Sequence, residues 1–251
     1  MDTSIQTGGD EMRPKAVLLD LDDTIIAFEQ GVDLDACWRN VCGTHLPGSS
    51  VGEIGGLVGK IKERAKRYWS DEERHRVGRL DLDKARTEIV TSALGSDAGI
   101  DAAAAARIAI DYGRERDEAV VLHPGAIDAI AHIRSLGIKL ALITNGASAA
   151  QRRKIERFRL GELFDHIYIE EEFGVGKPDP RIYLHAVDKL GALPEEAWMV
   201  GDNYKWEVVA PQAIGIRGVW INPQGIDPGT VHSVQPYRSI RTLGNIRKLL
   251  D

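Results

Sequence analysis

The chain has 251 residues, 43% of them hydrophobic and 28% charged, with a formal net charge of −6. That length suits one large domain, or one domain carrying a smaller one. A mildly acidic surface argues against a general nucleic-acid binder, and no apolar run is long enough to cross a bilayer. Residues 1–14 are polar and lack the apolar centre of a signal peptide, so a flexible lead-in and a cytoplasmic location are expected. The two cysteines, Cys37 and Cys42, lie five apart in a stretch that reads as helix. They face different ways, which suits neither a metal pair nor a bridge and points to buried thiols.

The first structured element is Ala16–Leu19, a short unbroken apolar run of the kind covered on both faces of a parallel sheet. Residues 33–120 then carry no strand signal and read as four helices: Leu34–Leu46, Val51–Trp69, Asp71–Leu94 and Asp101–Val120, the last with Asp101 as N-cap. Such a block is too long for a crossover connection, so 33–120 is expected to form a separate helical cap on a core made of 15–32 and 121–251. The charge run Lys60–Arg67 within it reads first as a solvated helix face, with an anionic-substrate or partner surface as the alternative.

Beyond Leu122, strand and helix patterns alternate. Strands are expected at 138–143, 166–169, 198–200 and 218–221, and amphipathic helices at 125–136, 148–159 and 180–190. With Ala16–Leu19 this makes a five-stranded, doubly wound parallel sheet of the Rossmann-like α/β class. The segment 222–236, with three prolines and two glycines, should be loop, followed by a short strand at 237–240 and a closing helix at 243–250.

The polar residues of note fall just past the C-terminal ends of these strands, where open α/β sheets bind ligands. Asp20-Leu21-Asp22-Asp23-Thr24 follows the first strand; with a period of two, Asp20 and Asp22 point the same way and repel unless a proton or a hard cation such as Mg²⁺ intervenes. Thr144-Asn145-Gly146 offers a hydroxyl and an amide to an anion. Lys177, between two glycines and two prolines, places one positive charge in a restrained loop. Gly201-Asp202-Asn203 adds a further carboxylate, with Glu207 five residues beyond it. Each fragment alone also reads as an ordinary turn or helix cap. Their joint placement on one sheet edge is what favours a site.

In this order, the four fragments resemble the motifs of the haloacid dehalogenase-like hydrolase superfamily, over residues 16 to about 221. The insert after the first motif resembles that family's mobile cap, and the similarity is to its small-metabolite phosphatases. The resemblance implies an Mg²⁺-dependent phosphohydrolase acting on a small phosphorylated metabolite. Asp20 would be the nucleophile, forming a phospho-aspartyl intermediate, and Asp22 the general acid and base. Asp20, the Asp22 carbonyl and Asp202 would hold the metal; Thr144, Asn145 and Lys177 would hold the phosphate; Asn203 and Glu207 would support them.

Two features depart from that pattern. The second acid of the last motif is Glu207 rather than Asp, and Pro211 should delay or bend the helix that follows. The alternatives are a phosphosugar mutase, a 2-haloacid dehalogenase, which the presence of Asp22 disfavours, and a non-catalytic regulator that keeps the pocket. No nucleic-acid or membrane partner is expected, and the chain would be a monomer or a homodimer. Arg39, Lys60, Arg64, Arg67, Trp69 and Arg79 are candidates to line the cap.

Overall fold

A computed structural model describes residues 13–94, 100–231 and 233–251; the lead-in expected over 1–14 lies almost wholly outside them. Eight strands and nine principal helices organise the described chain. The strands are β1 (Ala16–Leu19), β2 (Ile26–Ala27), β3 (Val121–Leu122), β4 (Lys139–Thr144), β5 (His166–Ile169), β6 (Ala197–Gly201), β7 (Arg217–Ile221) and β8 (Arg238–Ile240). The helices are α1 (Leu34–His45), α2 (Val51–Ser70), α3 (Glu72–Gly78), α4 (Leu82–Leu94), α5 (Ala102–Ala119), α6 (Ala126–Ser135), α7 (Ser148–Arg157), α8 (Glu170–Phe173) and α9 (Pro180–Lys189).

The main sheet is parallel, in the order β5-β4-β1-β6-β7-β8. It has six strands rather than the expected five. The sixth is β8, at the place of the further short strand expected over 237–240; its three residues, with a single buried side chain, give only a faint apolar signature. β1 is central, and its four residues are all buried. Its side chains alternate as a strand's must. Val17 and Leu19 join a cluster with Leu140, Leu142 and Val200 beneath α6, while Ala16 and Leu18 join Ile143, Met199 and Tyr183 beneath α9. Helices thus cover both faces. The chain runs outward from β1 through β4 and β5, then returns to β6 on β1's other side. That reversal opens a crevice at the C-terminal ends of β1, β4 and β6.

Helices α1–α5 bury a separate cluster, including Val41, Ile61, Ile89, Val90 and Ile108. Trp38 stacks on Tyr112 with ring centroids 3.5 Å apart, tying α1 to α5. Ser50 and Glu53 form a reciprocal capping box at the start of α2, and Asp101 caps α5 through the Ala104 N–H. Cys37 and Cys42 are free and buried; burial pushes the Cys42 thiol up to about 11. Lys60, Lys62, Arg64, Lys66 and Arg67 are exposed, in keeping with a solvated face. Where the chain leaves the core and returns to it, β2 and β3 pair antiparallel. Two residues in each strand are too few to register as a pattern in sequence.

Two helices differ from expectation. The one expected over 71–94 breaks between α3 and α4, because Gly78 ends the first and Asp81 accepts the Lys84 N–H to begin the second. At Pro211 the helix neither starts late nor breaks; it widens into a π turn over Lys205–Val209 and continues as a short α-helix over Ala210–Gln212. The closing segment is a 3₁₀ turn over Leu243–Ile246 before a helix over Arg247–Leu250.

Leu19 is fully buried directly before Asp20. Leu19→Ala is expected to lower stability by about 2–5 kcal/mol, read as a fall in the urea midpoint with an unchanged slope.

Candidate active site

The edge of the sheet where β1, β4 and β6 end carries a cavity of about 240 Å³. Asp20, Asp22, Thr144, Asn145, Asp202, Asn203 and Glu207 all line it, so the structure gathers seven of the eight residues singled out in the sequence. The eighth, Lys177, lies behind them. It is fully buried, and its Nζ donates to Asp20 Oδ1 at 2.5 Å and to Glu207 Oε1 at 2.7 Å. Burial alone would lower its pKa, but the two adjacent carboxylates outweigh that and raise it, so Lys177 is charged.

Glu207 reaches this ammonium from the π turn, where its N–H donates to the Asn203 carbonyl at 2.8 Å. Its place depends on Gly201: a Cβ there would collide with Glu207 Cγ and stand 3.0 Å from Asp20 Cβ. Asn203 Oδ1 accepts the Trp206 N–H at 3.2 Å and so supports the same turn. The longer side chain of Glu, compared with the expected Asp, is therefore spent on Lys177.

Asn145 acts on the lysine loop. Its amide accepts the Lys177 N–H at 2.8 Å and donates to the Lys177 carbonyl at 2.7 Å, with the Lys177-Pro178 peptide cis. Thr144 is buried, and its hydroxyl oxygen accepts from Gln151 Nε2 at 2.5 Å, which leaves its own O–H free to donate.

Asp22 is held by two residues the sequence reading passed over. Lys154 Nζ donates to Oδ1 at 2.7 Å and Gln151 Nε2 to Oδ2 at 2.9 Å. Gln151 and Lys154 are buried, three apart on α7 next to buried Ile155. The signal was present, since a Gln and a Lys occupy the inward face of an amphipathic helix, but attention to strand ends overlooks it. Phe28 completes the group: the Lys154 ammonium lies 3.7 Å from its ring centroid. Asp23, with φ of 57°, accepts the backbone N–H groups of Phe28, Glu29 and Gln30 and so shapes the loop that carries this ring.

Of the cap candidates, Arg79 lines the cavity. It forms a two-pronged pair with buried Glu170, at 2.7 and 2.6 Å, and lies 5.5 Å from the Trp206 ring. Arg39 and Arg67 are exposed and pair with Asp33 and Glu63.

The charge balance of the cavity is unfinished. Burial, then Asp20, Glu207 and Asp23, push the Asp202 carboxyl up to about 8. Burial also raises Asp20, and burial with Asp20 moves Glu207 to about 7. Glu207 Oε2 is buried without a hydrogen-bond partner. Among the described residues no group of three or more His, Cys, Asp or Glu side chains forms a metal cage. Two carboxylates, Asp20 and Asp202, with water completing the shell, nonetheless fit a small hard cation, and its charge would relieve this excess of anions.

Lys177→Met should cost about 3–5 kcal/mol near pH 8, where it strands two buried carboxylates. The deficit should shrink as pH falls from 8 to below 7, because without the lysine that holds it down Glu207 takes up a proton more readily than in the parent. Urea titrations at both pH values read the difference, and equal deficits would contradict this charge balance.

Comparison with known proteins gives a consistent picture. The model of a hydrolase family, haloacid dehalogenase-like hydrolase, matches residues 14–215. The phosphoserine phosphatase of Thermus thermophilus is 41% identical over 107 residues, 43% of each chain. The glyceraldehyde 3-phosphate phosphatase of Methanopyrus kandleri is 27% identical over 242 residues, 94% of this chain and 96% of that one. A HAD-hydrolase from Bacillus subtilis, YfnB, crystallised with magnesium, superposes with a TM-score of 0.71 at 22% identity, covering 96% of this chain and 100% of that one. Among the described residues no helix is long and apolar enough to cross a membrane. The fold, the arrangement of the sheet edge and the family match together place this chain in the haloacid dehalogenase-like hydrolase family.

Proposed function

We propose that this enzyme, a phosphatase of its family, hydrolyses small phosphorylated metabolites through a phospho-aspartyl intermediate on Asp20, with Mg²⁺ as cofactor. The observation that carries the reading is Asp20 itself. It is buried at the end of a central strand and held through Oδ1 by Lys177, while Thr24 donates to Oδ2 over a long 3.3 Å.

In the first step an Asp20 oxygen bonds to phosphorus in line with the ester oxygen, whose bond to phosphorus breaks as Asp22 delivers a proton to it. In the second, water attacks the same phosphorus, Asp22 takes the water's proton, and the Asp20–phosphorus bond breaks to free inorganic phosphate. Mg²⁺, held by Asp20, Asp202 and the Asp22 carbonyl, would screen the phosphate's charge from the anionic nucleophile. The Thr144 hydroxyl and the Asn145 backbone amide are assigned to the equatorial oxygens. Lys177, from behind, keeps Asp20 in place and favours its ionised form against the effect of burial. Gln151 and Lys154 hold Asp22 on the leaving-group side, next to Phe28. The helical block 33–120 would act as the cap, with Arg79 and Glu170 as its latch on the core. The proposal places this chemistry in the cytoplasm, on a small metabolite, in a monomer or homodimer.

Phosphate release from a panel of phosphorylated metabolites, with and without Mg²⁺, tests the reading. Asp20→Asn should reduce release to background, and Asp22→Asn should lower kcat by about 10²–10⁴-fold. Release by Asp20→Asn at the parent rate would sink the assignment.

Metal binding has its own readout. The folded, metal-free protein holds the Asp202 proton more tightly than the unfolded chain does, because the group moves from an ordinary 3.8 to about 8. This group's contribution to stability is therefore full at low pH and lost as pH rises toward 8. Mg²⁺ should raise the melting temperature more at pH 8 than at pH 5.5, and Asp202→Asn should flatten that difference. An equal gain at both pH values would argue against Asp202 as a ligand.

A further inference from the structure

A second, larger cavity of about 950 Å³ lies between α4 and α5 on one side and α7 on the other. It shares Phe28, Leu82, Ala147, Ala150 and Lys154 with the cavity around Asp20, so the two adjoin. Space that opens from Asp22 and Lys154 toward the helical block is where the leaving group of a phosphate ester would lie.

Most cations along this cleft are already engaged. Lys154 pairs with Asp22, Arg153 with Asp117 at 3.6 Å and Arg114 with Asp111 at 3.4 Å, while Arg157 donates to the backbone carbonyls of Asp117 and Glu118. Arg86 is different. It lines the cleft at only 6% exposure, and its Nη2 is buried with no hydrogen-bond partner. Its one ion pair among the described residues is a loose one with exposed Asp83, at 3.8 Å and without a hydrogen bond. Its other neighbour of note is the Tyr112 ring, 5.6 Å from the guanidinium carbon.

The neighbouring helix makes room for this group. A Cβ on Gly113, in the middle of α5, would meet Arg86 Nη1 at 2.5 Å. Glycine is a poor residue for a helix interior, and here it vacates the space the guanidinium occupies. Burial and the neighbouring Arg116 both disfavour the charge on Arg86. A buried cation without hydrogen bonds is unfavourable unless an anion meets it, and no described side chain does so at bonding distance.

We infer that Arg86 is the recognition residue for a second anionic group on the substrate, a carboxylate or a further phosphoryl group carried by the leaving-group half. The inference rests on the phosphatase reading above and narrows it to phosphate esters of acids or to bisphosphates. Arginine's planar fork suits both kinds of anion in a two-pronged pair.

Calorimetric binding to the Mg²⁺-loaded Asp20→Asn variant tests this without turnover. The probes are 3-phosphoglycerate against glycerol 3-phosphate, and fructose 1,6-bisphosphate against fructose 6-phosphate. The more anionic member of at least one pair should bind about tenfold tighter, and that preference should vanish on adding Arg86→Met, with the other member's affinity unchanged. The pair that responds distinguishes carboxylate from phosphoryl recognition. Arg86→Met should leave the melting temperature unchanged or raise it, because it replaces a buried, weakly paired charge by an apolar chain. No preference in either pair, a preference that survives Arg86→Met, or an equal loss for all four probes would overturn the inference. Failure of the underlying reading looks different: the wild-type enzyme would then release phosphate from no ester, p-nitrophenyl phosphate included.

Discussion

One buried ammonium, shared by two carboxylates from different parts of the chain, is the interaction on which the site depends. Lys177 is unexposed and bonded to both Asp20 and Glu207. A lysine in that position is tolerable only with both anions present, and each anion needs the lysine. The triad therefore fixes the ends of β1 and β6 and the loop before α9 relative to one another. Asn145 adds the end of β4 by clamping the Lys177 peptide from both sides. Four segments distant in sequence are thus locked at one point on the sheet edge.

The same lock leaves a deliberate imbalance. One lysine cannot neutralise Asp20, Glu207 and Asp202 together, and burial makes the remaining charge costly, which is why Asp202 is pushed up to about 8. In the proposed reading a cation would relieve this excess on one side, and the Thr144 hydroxyl would meet an anion on the other. Asp22 lines the same cavity with different partners, Lys154, Gln151 and Phe28, so two acids separated by a single residue have different neighbours.

Much of this was legible in the sequence, for identifiable reasons. Strands such as Ala16–Leu19 are buried on both faces and declare themselves as apolar runs, and the polar residues that follow them fall where a parallel sheet binds ligands. β8 and the β2–β3 pair were invisible or faint because two or three residues carry no period. The break between α3 and α4 had a signal, Gly78 followed by Asp81, which the continuous amphipathic pattern around it masked. Gln151 and Lys154 were missed because a helix face was taken as packing when its inward residues were polar. Asn145 was expected to offer its backbone amide to the phosphate; that its side chain also clamps the Lys177 loop shows only in the three-dimensional approach of two loops. The facing of the cap's basic residues followed from no sequence rule, and of six candidates Arg79 is the one that lines the cavity around Asp20.

The most direct test of covalent chemistry at Asp20 is a single-turnover acid quench with enzyme in excess over a phosphate ester, followed by mass spectrometry of the digested chain. A transient phosphoryl adduct on the peptide bearing Asp20, formed and lost at rates that account for turnover, is the expected result. Phosphate release with no adduct at any time, or an adduct on another peptide, would contradict it.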